Sequence, residues 1–390
     1  IHVCDYSFGH SSACCHNKRV SPNNTKVHSS LKQYTGITMH EDEEHNYNQS
    51  QNQEQAQEQG ELNPQDHPYS KLTLDMVMDA TESTGLRCDA RILELNSYEN
   101  RVYQIGVENS EPVVGKFYRF DRWTDEQILE EHNFTLELAD EDVSVVAPLK
   151  ISNDSTLASH AGFRFALYPR RGGRAPSLDD SASLTILGRH IARIHSVGGL
   201  STFTTRPTIN IQSHGYDSRT YLMENGFISP ELLPAYESVT EHLLAQIADI
   251  FDQQETRHIR LHGDCHMGNV LWRNDLPHFV DFDDARMGPP IQDLWMMLSG
   301  DQEDQQKQFT KILTGYRDFC DFDMRQIRLI EPLRSLRLMY HSAWIARRWQ
   351  DPAFPRAFPF FNTERYWSDH ILDLREQWSK LSEPTLEIYI

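Results

Sequence analysis

At 390 residues with 38% apolar content, the chain can bury a sizeable core and hold two or three domains or one large two-lobed one, which fits a globular enzyme. Its 37 Lys and Arg against 57 Asp and Glu give a net charge of −20, which opposes a phosphate-backbone footprint and excludes nucleic acid as the expected primary partner. Six cysteines without framework spacing, no apolar run near the ~18 residues of a membrane span, and no basic-then-apolar leader point to a cytoplasmic protein with no membrane partner, expected as a monomer.

Residues 1–66 stand apart from the rest. Gln occupies every second position from Gln49 to Gln59, after an acidic run that opens at Glu41. Such a composition cannot bury a core, so a disordered low-complexity tail is expected. Its His2, Cys4, His10, Cys14, Cys15 and His16 fit no zinc spacing.

Order is expected from about Tyr69. Leu74, Val77, Met78 and Thr81 repeat at helical spacing between Thr73, a cap, and Gly85, a stop. Strand-like runs follow at 91–95, 101–108 and 113–120, separated by turn material, and read as an antiparallel meander. Thr124 with Gln127 makes a capping box that opens a helix through about Ala139. Runs at 143–149 and 163–168 bring the expected strands to five, and the chain breaks at Pro169 and the following Arg170, Arg171, Gly172 and Gly173. The pattern beyond is mainly helical. The fold class is therefore α+β and bilobal, with a five-stranded antiparallel nucleotide-binding lobe over 67–170 and a mainly helical catalytic and substrate-binding lobe over 171–390.

Within the second lobe the stretch 261–293 interrupts the helices. A short strand at 259–261 ends in His262-Gly263-Asp264, and Asn269 lies five residues past Asp264, the spacing of a kinase catalytic loop. Short strands at 270–273 and 278–282, joined by a turn at 274–277, fold Asp281 back toward Asn269. A transferred phosphoryl group needs a carboxylate to orient the attacking hydroxyl and oxygen ligands for a magnesium ion. Asp264 suits the first role and Asn269 and Asp281 the second, with Asp283 a further candidate ligand and Asp284 a weaker one. The bland reading, polar loop residues capping nearby backbone, explains any one Asp better than it explains the ordered set.

Phosphates also need a cation. Lys116 stands in the apolar run Val113, Val114, Gly115, Phe117, where it is either turned inward or snorkelling from a sheet edge. An inward lysine needs a carboxylate. Of Glu130 and Glu131 on the capped helix, Glu131 lies about 60° from Ile128 and about 20° from Leu138, on the buried face, and is the chosen partner. The turn 96–100 carries no glycine-rich loop. Its backbone amides and the Ser97 hydroxyl can face phosphate, or it is a plain hairpin turn. The run 165–168 sits where a lobe connection could face adenine, and Asp293 is read as structural, a helix cap or a brace behind the loop.

The set Lys116, Glu131, His262-Gly263-Asp264, Asn269 and Asp281, with phrases such as LNSYENRVYQ, ILEEH, LHGDCHMGNVLWR and VDFDDARMGPPIQDLWM, resembles the aminoglycoside phosphotransferase and choline kinase-like superfamily from about Tyr69 onward. The phrases resemble a bacterial Ser/Thr protein kinase branch of it. The resemblance implies a bilobal kinase fold, ATP and Mg2+ as cofactors, and phosphorylation of Ser or Thr hydroxyls in protein substrates, with a role in surviving stress. It places the catalytic base on Asp264, magnesium on Asn269 and Asp281, and an ATP contact on Ser97.

Only twelve residues separate Asp281 from Asp293, too few for an activation segment with a phosphosite and an A-P-E anchor. Small-molecule kinases share that short connection, so an amino alcohol, sugar or amino acid acceptor is the alternative, favoured by an acidic pocket beside Asp264. Arg325, Arg328, Arg334, Arg337, Arg347 and Arg348 could instead meet an acidic protein, or form a solvated basic face. A metallophosphoesterase, suggested by Gly263-Asp264-Cys265-His266, lacks the later His and Asp clusters of a two-metal site. A binding-only pseudokinase would lack a member of the set, and none is missing.

Overall fold

The computed structural model describes residues 68–95, 97–151, 154–177 and 180–388; the expected tail with its His and Cys residues, and Asn96, lie outside them. Helix α1 (Leu74–Glu82) is capped by Thr73, whose Oγ1 accepts from Met76 N at 3.2 Å, and Gly85 follows at φ +95°. Strands β1 (Cys88–Leu95), β2 (Arg101–Val107) and β3 (Val113–Phe117) form the meander. Helix α2 (Asp125–Asp140) opens on the complete Thr124–Gln127 capping box. Strands β4 (Ala158–His160) and β5 (Phe163–Pro169) complete an antiparallel sheet of order β1-β2-β3-β5-β4. Ile105, Phe117, Phe165 and Leu167 are fully buried on it.

The run 143–149 is not the fifth strand. Val146 N donates to Phe279 O at 3.0 Å and Phe279 N to Ser144 O at 2.9 Å, while Leu149 N reaches Leu167 O at 2.7 Å. Its donors are thus divided between the two lobes, and Pro148 offers none, so it straps the sheet to the second lobe. The fifth strand is the three-residue β4, returned onto β5 by Ala161 and Gly162, both at positive φ as a two-residue hairpin turn requires.

The second lobe runs α3 (Ser181–Gly198), α4 (Asp217–Glu224), α5 (Leu233–Asp252), β6 (Ile259–Leu261), β7 (Val270–Arg273), β8 (Leu276–Phe279), β9 (Arg286–Gly288), α6 (Ile291–Trp295), α7 (Gln302–Tyr316), α8 (Ile330–Ala346), α9 (Ala353–Ala357) and α10 (Glu364–Lys380). The β7–β8 turn is tighter than 274–277: Asn274 and Asp275 alone make it, both at positive φ, and Pro277 sits within β8 opposite Trp272. Strand β9, paired to β6, has too few residues to show a period.

Two apolar cores hold this lobe. One packs Leu187 and Ile191 of α3 and Phe309 and Ile312 of α7 against Leu261 and Phe279; the other joins α5, α8 and α10 through Leu243, Met339, Trp367 and Leu374. Each fully buried side chain of this kind contributes about 1.5–3 kcal/mol. Among the described residues no helix is long and apolar enough to cross a membrane.

Candidate active site

Strand β6 delivers the chain into the catalytic loop. Gly263 turns it at φ +82°, and a Cβ there would lie 2.1 Å from Asp284 O, so only glycine fits. Behind the turn, fully buried Asp293 accepts from His262 N and Gly263 N, each at 2.9 Å, and meets His195 Nε2 at 3.2 Å. Asp293 is therefore a brace and not the cap of α6, and its burial is sustained because its oxygens are partnered. His262 Nε2 donates to Val280 O at 2.9 Å and its Nδ1 accepts from Asp264 N at 3.3 Å, a pair of bonds only the Nε2-protonated ring supplies.

These bonds present the Asp264 carboxylate to the cleft. Arg337 Nη2 donates to Oδ1 at 2.6 Å, while Oδ2 lies 3.4 Å from both Asn269 Nδ2 and His266 Nε2. Burial pushes this carboxyl up, but Arg337 and His266 outweigh it and hold Asp264 well below the usual carboxylate range. Asn269 Nδ2 also donates to Asp264 O at 2.9 Å. Its Oδ1 accepts no hydrogen bond among the described residues and is left for a ligand.

The β7–β8 hairpin brings the second acidic cluster back, Val280 N donating to Asn269 O at 3.0 Å. Asp281 follows in the left-handed region (φ 63°, ψ 62°) with its side chain 48% exposed. Lys116 Nζ from β3 lies 3.1 Å from Asp281 Oδ1 and 3.0 Å from Asp283 Oδ1. Burial disfavours the charged lysine, but Asp283 and Asp281 overcome that and hold its pKa well above the ordinary value.

The three acidic residues are not equivalent. Asp283 is buried, met by Arg122 and by Asn100 Nδ2 at 3.3 Å as well as Lys116. Burial raises its carboxyl, yet Arg122 and Lys116 hold it low. Asp284 Oδ1 is taken by Arg122 Nη2 at 2.9 Å and by Arg286. Asp281 is thus the open carboxylate, and with Asn269 it offers hard oxygen donors. Among the described residues no cluster of three or more His, Cys, Asp or Glu makes a closed metal site. Two protein oxygens completed by phosphates and water is the arrangement that Mg2+ takes, so the donor set fits that ion.

Glu131, 2% exposed, faces inward as its helical angle predicts, and burial raises its carboxyl to about 7 against the pull of Lys116 and Arg206. The expected Lys116–Glu131 ion pair is not among those of the described residues: the lysine is engaged by Asp281 and Asp283. Glu130 on the opposite face accepts from Thr204 N at 2.6 Å, Thr205 N at 3.0 Å and Arg206 N at 2.9 Å, and from both threonine hydroxyls. Despite partial burial, these bonds bring its carboxyl down to about 2.

Ser97 is partly buried in the turn between β1 and β2. That turn is held from far along the chain. Trp344 Nε1 and Arg348 Nε donate to Glu99 at 2.6 and 2.9 Å, the Tyr98 ring meets Phe358 edge-on at 5.1 Å, and Arg101 and Arg119 reach buried Asp351 at 3.2 and 2.6 Å. The run 165–168 lies inside β5, and Leu167 O is already bonded to Leu149 N, so it is sheet and not a lobe connection.

Sequence reasoning missed Glu99, Asn100, Arg122, Arg206 and Asp351, and grouped Arg337 with its neighbours. The six C-terminal arginines do not share a face: Arg325 pairs with Asp323, Arg334 with Glu331, Arg337 with Asp264 and Arg348 with Glu99, while Arg347 lies over Tyr221. The only local signal was spacing within α8, where Arg337, Tyr340, His341 and Trp344 fall on one stripe.

Residues 91–330 match the family described as "Phosphotransferase enzyme family". Stress response kinase A of Escherichia coli (strain K12) is 43% identical over 327 residues, 84% of this chain and 99% of that protein. A protein of Salmonella typhimurium named serine/threonine protein kinase RdoA is 41% identical with the same coverage. Among solved structures, the amicoumacin kinase hAmiN in complex with AMP-PNP, Ca2+ and Ami has a TM-score of 0.64 at 18% identity, over 81% of this chain and 96% of that one, a likeness of fold.

Proposed function

We propose, from the premise that this chain belongs to the phosphotransferase enzyme family, that this kinase transfers the γ-phosphoryl group of ATP to Ser or Thr hydroxyls of protein substrates, with Mg2+ as cofactor. The observation that carries the chemistry is the convergence of Asp264, Asn269 and Asp281, with Lys116 Nζ 3.1 Å from Asp281. Asn269 and Asp281 would hold Mg2+, which would supply positive charge to offset that of the transferred phosphoryl group. Lys116 lies within reach of phosphates gathered there, and Ser97 with the amides of its turn covers them.

Asp264 accepts the hydrogen bond of the acceptor hydroxyl and aims its oxygen at the γ-phosphorus. The new O–P bond forms as the bond to the β,γ-bridging oxygen breaks, ADP leaves with that electron pair, and the hydroxyl proton passes to Asp264 and on to water. A carboxyl held well below its usual range acts chiefly by orientation.

The names of the relatives support a protein acceptor and a stress-response role, and the cysteines without framework spacing support the cytoplasm as the place of action. The surroundings of Asp264 support a protein acceptor too: Arg337 donates to its Oδ1 at 2.6 Å, a cation where an amino acceptor would bring like charge. A small-molecule acceptor is the second reading, because the amicoumacin kinase shares the fold. Incubation of pure protein with labelled ATP, a generic protein substrate and a small-alcohol panel tests the proposal. Label is expected in protein Ser or Thr and absent with Asp264→Ala; label in small molecules alone would overturn it.

A further inference from the structure

We propose that Arg206 is a positioning residue for the metal site: from the segment between α3 and α4 it pins the backbone of 283–285 and so holds the Asp281 carboxylate in place. This inference rests on the assignment of Mg2+ to Asn269 and Asp281 above and deepens it.

Arg206 is 5% exposed, and among the described residues it forms no ion pair. Its fork goes to carbonyls instead: Nε donates to Ala285 O at 2.5 Å, Nη1 to Gln127 O at 2.8 Å and Nη2 to Asp283 O. Burying a cation without a carboxylate in contact is costly, and the use of several donors in one rigid plane is what only a guanidinium provides. The base of the residue is fixed as well. Arg206 N donates to Glu130 at 2.9 Å, and the guanidinium lies 4.4 Å over the Trp123 ring. The chain after it runs beside β9, with Met287 N donating to Pro207 O at 3.0 Å and Ile209 N to Met287 O at 2.8 Å.

This fork holds the downstream end of an unusual link. Upstream, Val280 N donates to Asn269 O at 3.0 Å and Val280 O accepts from His262 Nε2 at 2.9 Å. Downstream, Arg206 takes Asp283 O and Ala285 O. Between these fixed points Asp281 sits at φ 63°, ψ 62°, a region that a residue with a Cβ keeps when its surroundings impose it. Phe282, 2% exposed and 4.3 Å from the His262 ring, anchors the same turn through its side chain, so without Arg206 the turn loosens and does not unfold. Asp281 then relaxes toward negative φ, and its carboxylate leaves the place where Lys116 Nζ meets it at 3.1 Å.

The test reads ion binding without turnover, using the full chain, a non-hydrolysable ATP analogue and Mn2+ in place of Mg2+, with free Mn2+ followed by its EPR signal. Arg206→Lys and Arg206→Met should each weaken Mn2+ about tenfold, the scale of one charge-assisted hydrogen bond. Removing a cation near a metal site would by itself tighten Mn2+, so weaker binding in Arg206→Met reports lost positioning. Glu130→Ala, which frees the base of Arg206 from the surface side, should cost about threefold and keeps the test open to refutation if the Arg206 variants do not fold. Leu374→Ala in the α10 core is the comparison: it should lower the melting temperature and leave Mn2+ affinity within about twofold. Hydrogen exchange of the metal-free chain should quicken at 281–285 in the Arg206 variants and not in Leu374→Ala. Unchanged or tighter Mn2+ binding in Arg206→Met and Glu130→Ala overturns the inference. So does an equal loss in Leu374→Ala, which a merely structural residue would give. The protein-acceptor reading fails separately, by label in small alcohols alone, and that result leaves the dependence of Mn2+ on Arg206 standing.

Discussion

The candidate catalytic loop and the turn between β1 and β2 are anchored on different scales. His262 and Gly263 are fixed by Asp293, 31 and 30 residues away, and Asn269 receives its partner through one short hairpin. Glu99 and Arg101 in the other lobe are fixed by Trp344, Arg348 and Asp351, 245 to 250 residues downstream. The loop carries its own scaffold, so its geometry depends on a few neighbours. The turn borrows its position from residues far down the chain, so anything that shifts Trp344 or Arg348 is felt at Glu99 and the turn around it.

Substitutions can break that contrast at graded cost. Asp264→Ala and Asp281→Ala should each lower phosphoryl transfer by about 10³-fold or more while melting temperature moves by a few degrees at most, checked by steady-state kinetics and calorimetry. Asp293→Ala should cut kcat by about 10²-fold and also destabilise the chain by about 3 kcal/mol in denaturant titration, because two buried amides lose their acceptor. Glu99→Gln and Arg348→Met should instead raise KM for ATP several-fold with little change in kcat. Combined, they should cost scarcely more than one alone, since both remove the same link.

The smallest effect concerns Glu131. Burial raises its carboxyl to about 7, above the ordinary 4.5, so the folded chain holds a proton that the unfolded chain has released between those values. Stability from this group is complete below pH 4.5 and is lost as pH rises through about 7. Glu131→Gln should therefore gain on the wild type by a few kcal/mol at most between pH 5 and 8, read as a widening difference in melting temperature.

The same contrast of scale decided what could be read from the residues. The Thr124–Gln127 box, the Asp264–Asn269 spacing and the return of Asp281 through a hairpin all lie within about twenty residues, where turn chemistry and periodicity act. Helical angle placed Glu131 inside but could not name the carboxylates that hold Lys116, which come from another lobe. The run 143–149 looks like a strand because it is apolar; its hydrogen bonds to Phe279 and Leu167 are tertiary and leave no periodic trace. Strand β4 is three residues of Ala, Ser and His, below the length at which alternation shows.

The five hydrogen bonds on Glu130 change the mechanics of the molecule. With Gln127 Nε2 on Thr205 O at 2.9 Å and Arg206 Nη1 on Gln127 O at 2.8 Å, they rivet α2 to the second lobe, and the strap at Ser144 and Val146 is sewn to β8 as well. The helix that chain order assigns to the first lobe is thus bonded to the second as well. Its His132 Nε2 also lies 2.7 Å from Tyr118 Oη, just past β3, so the same helix is bound to the sheet and a change in α2 reaches both sides at once.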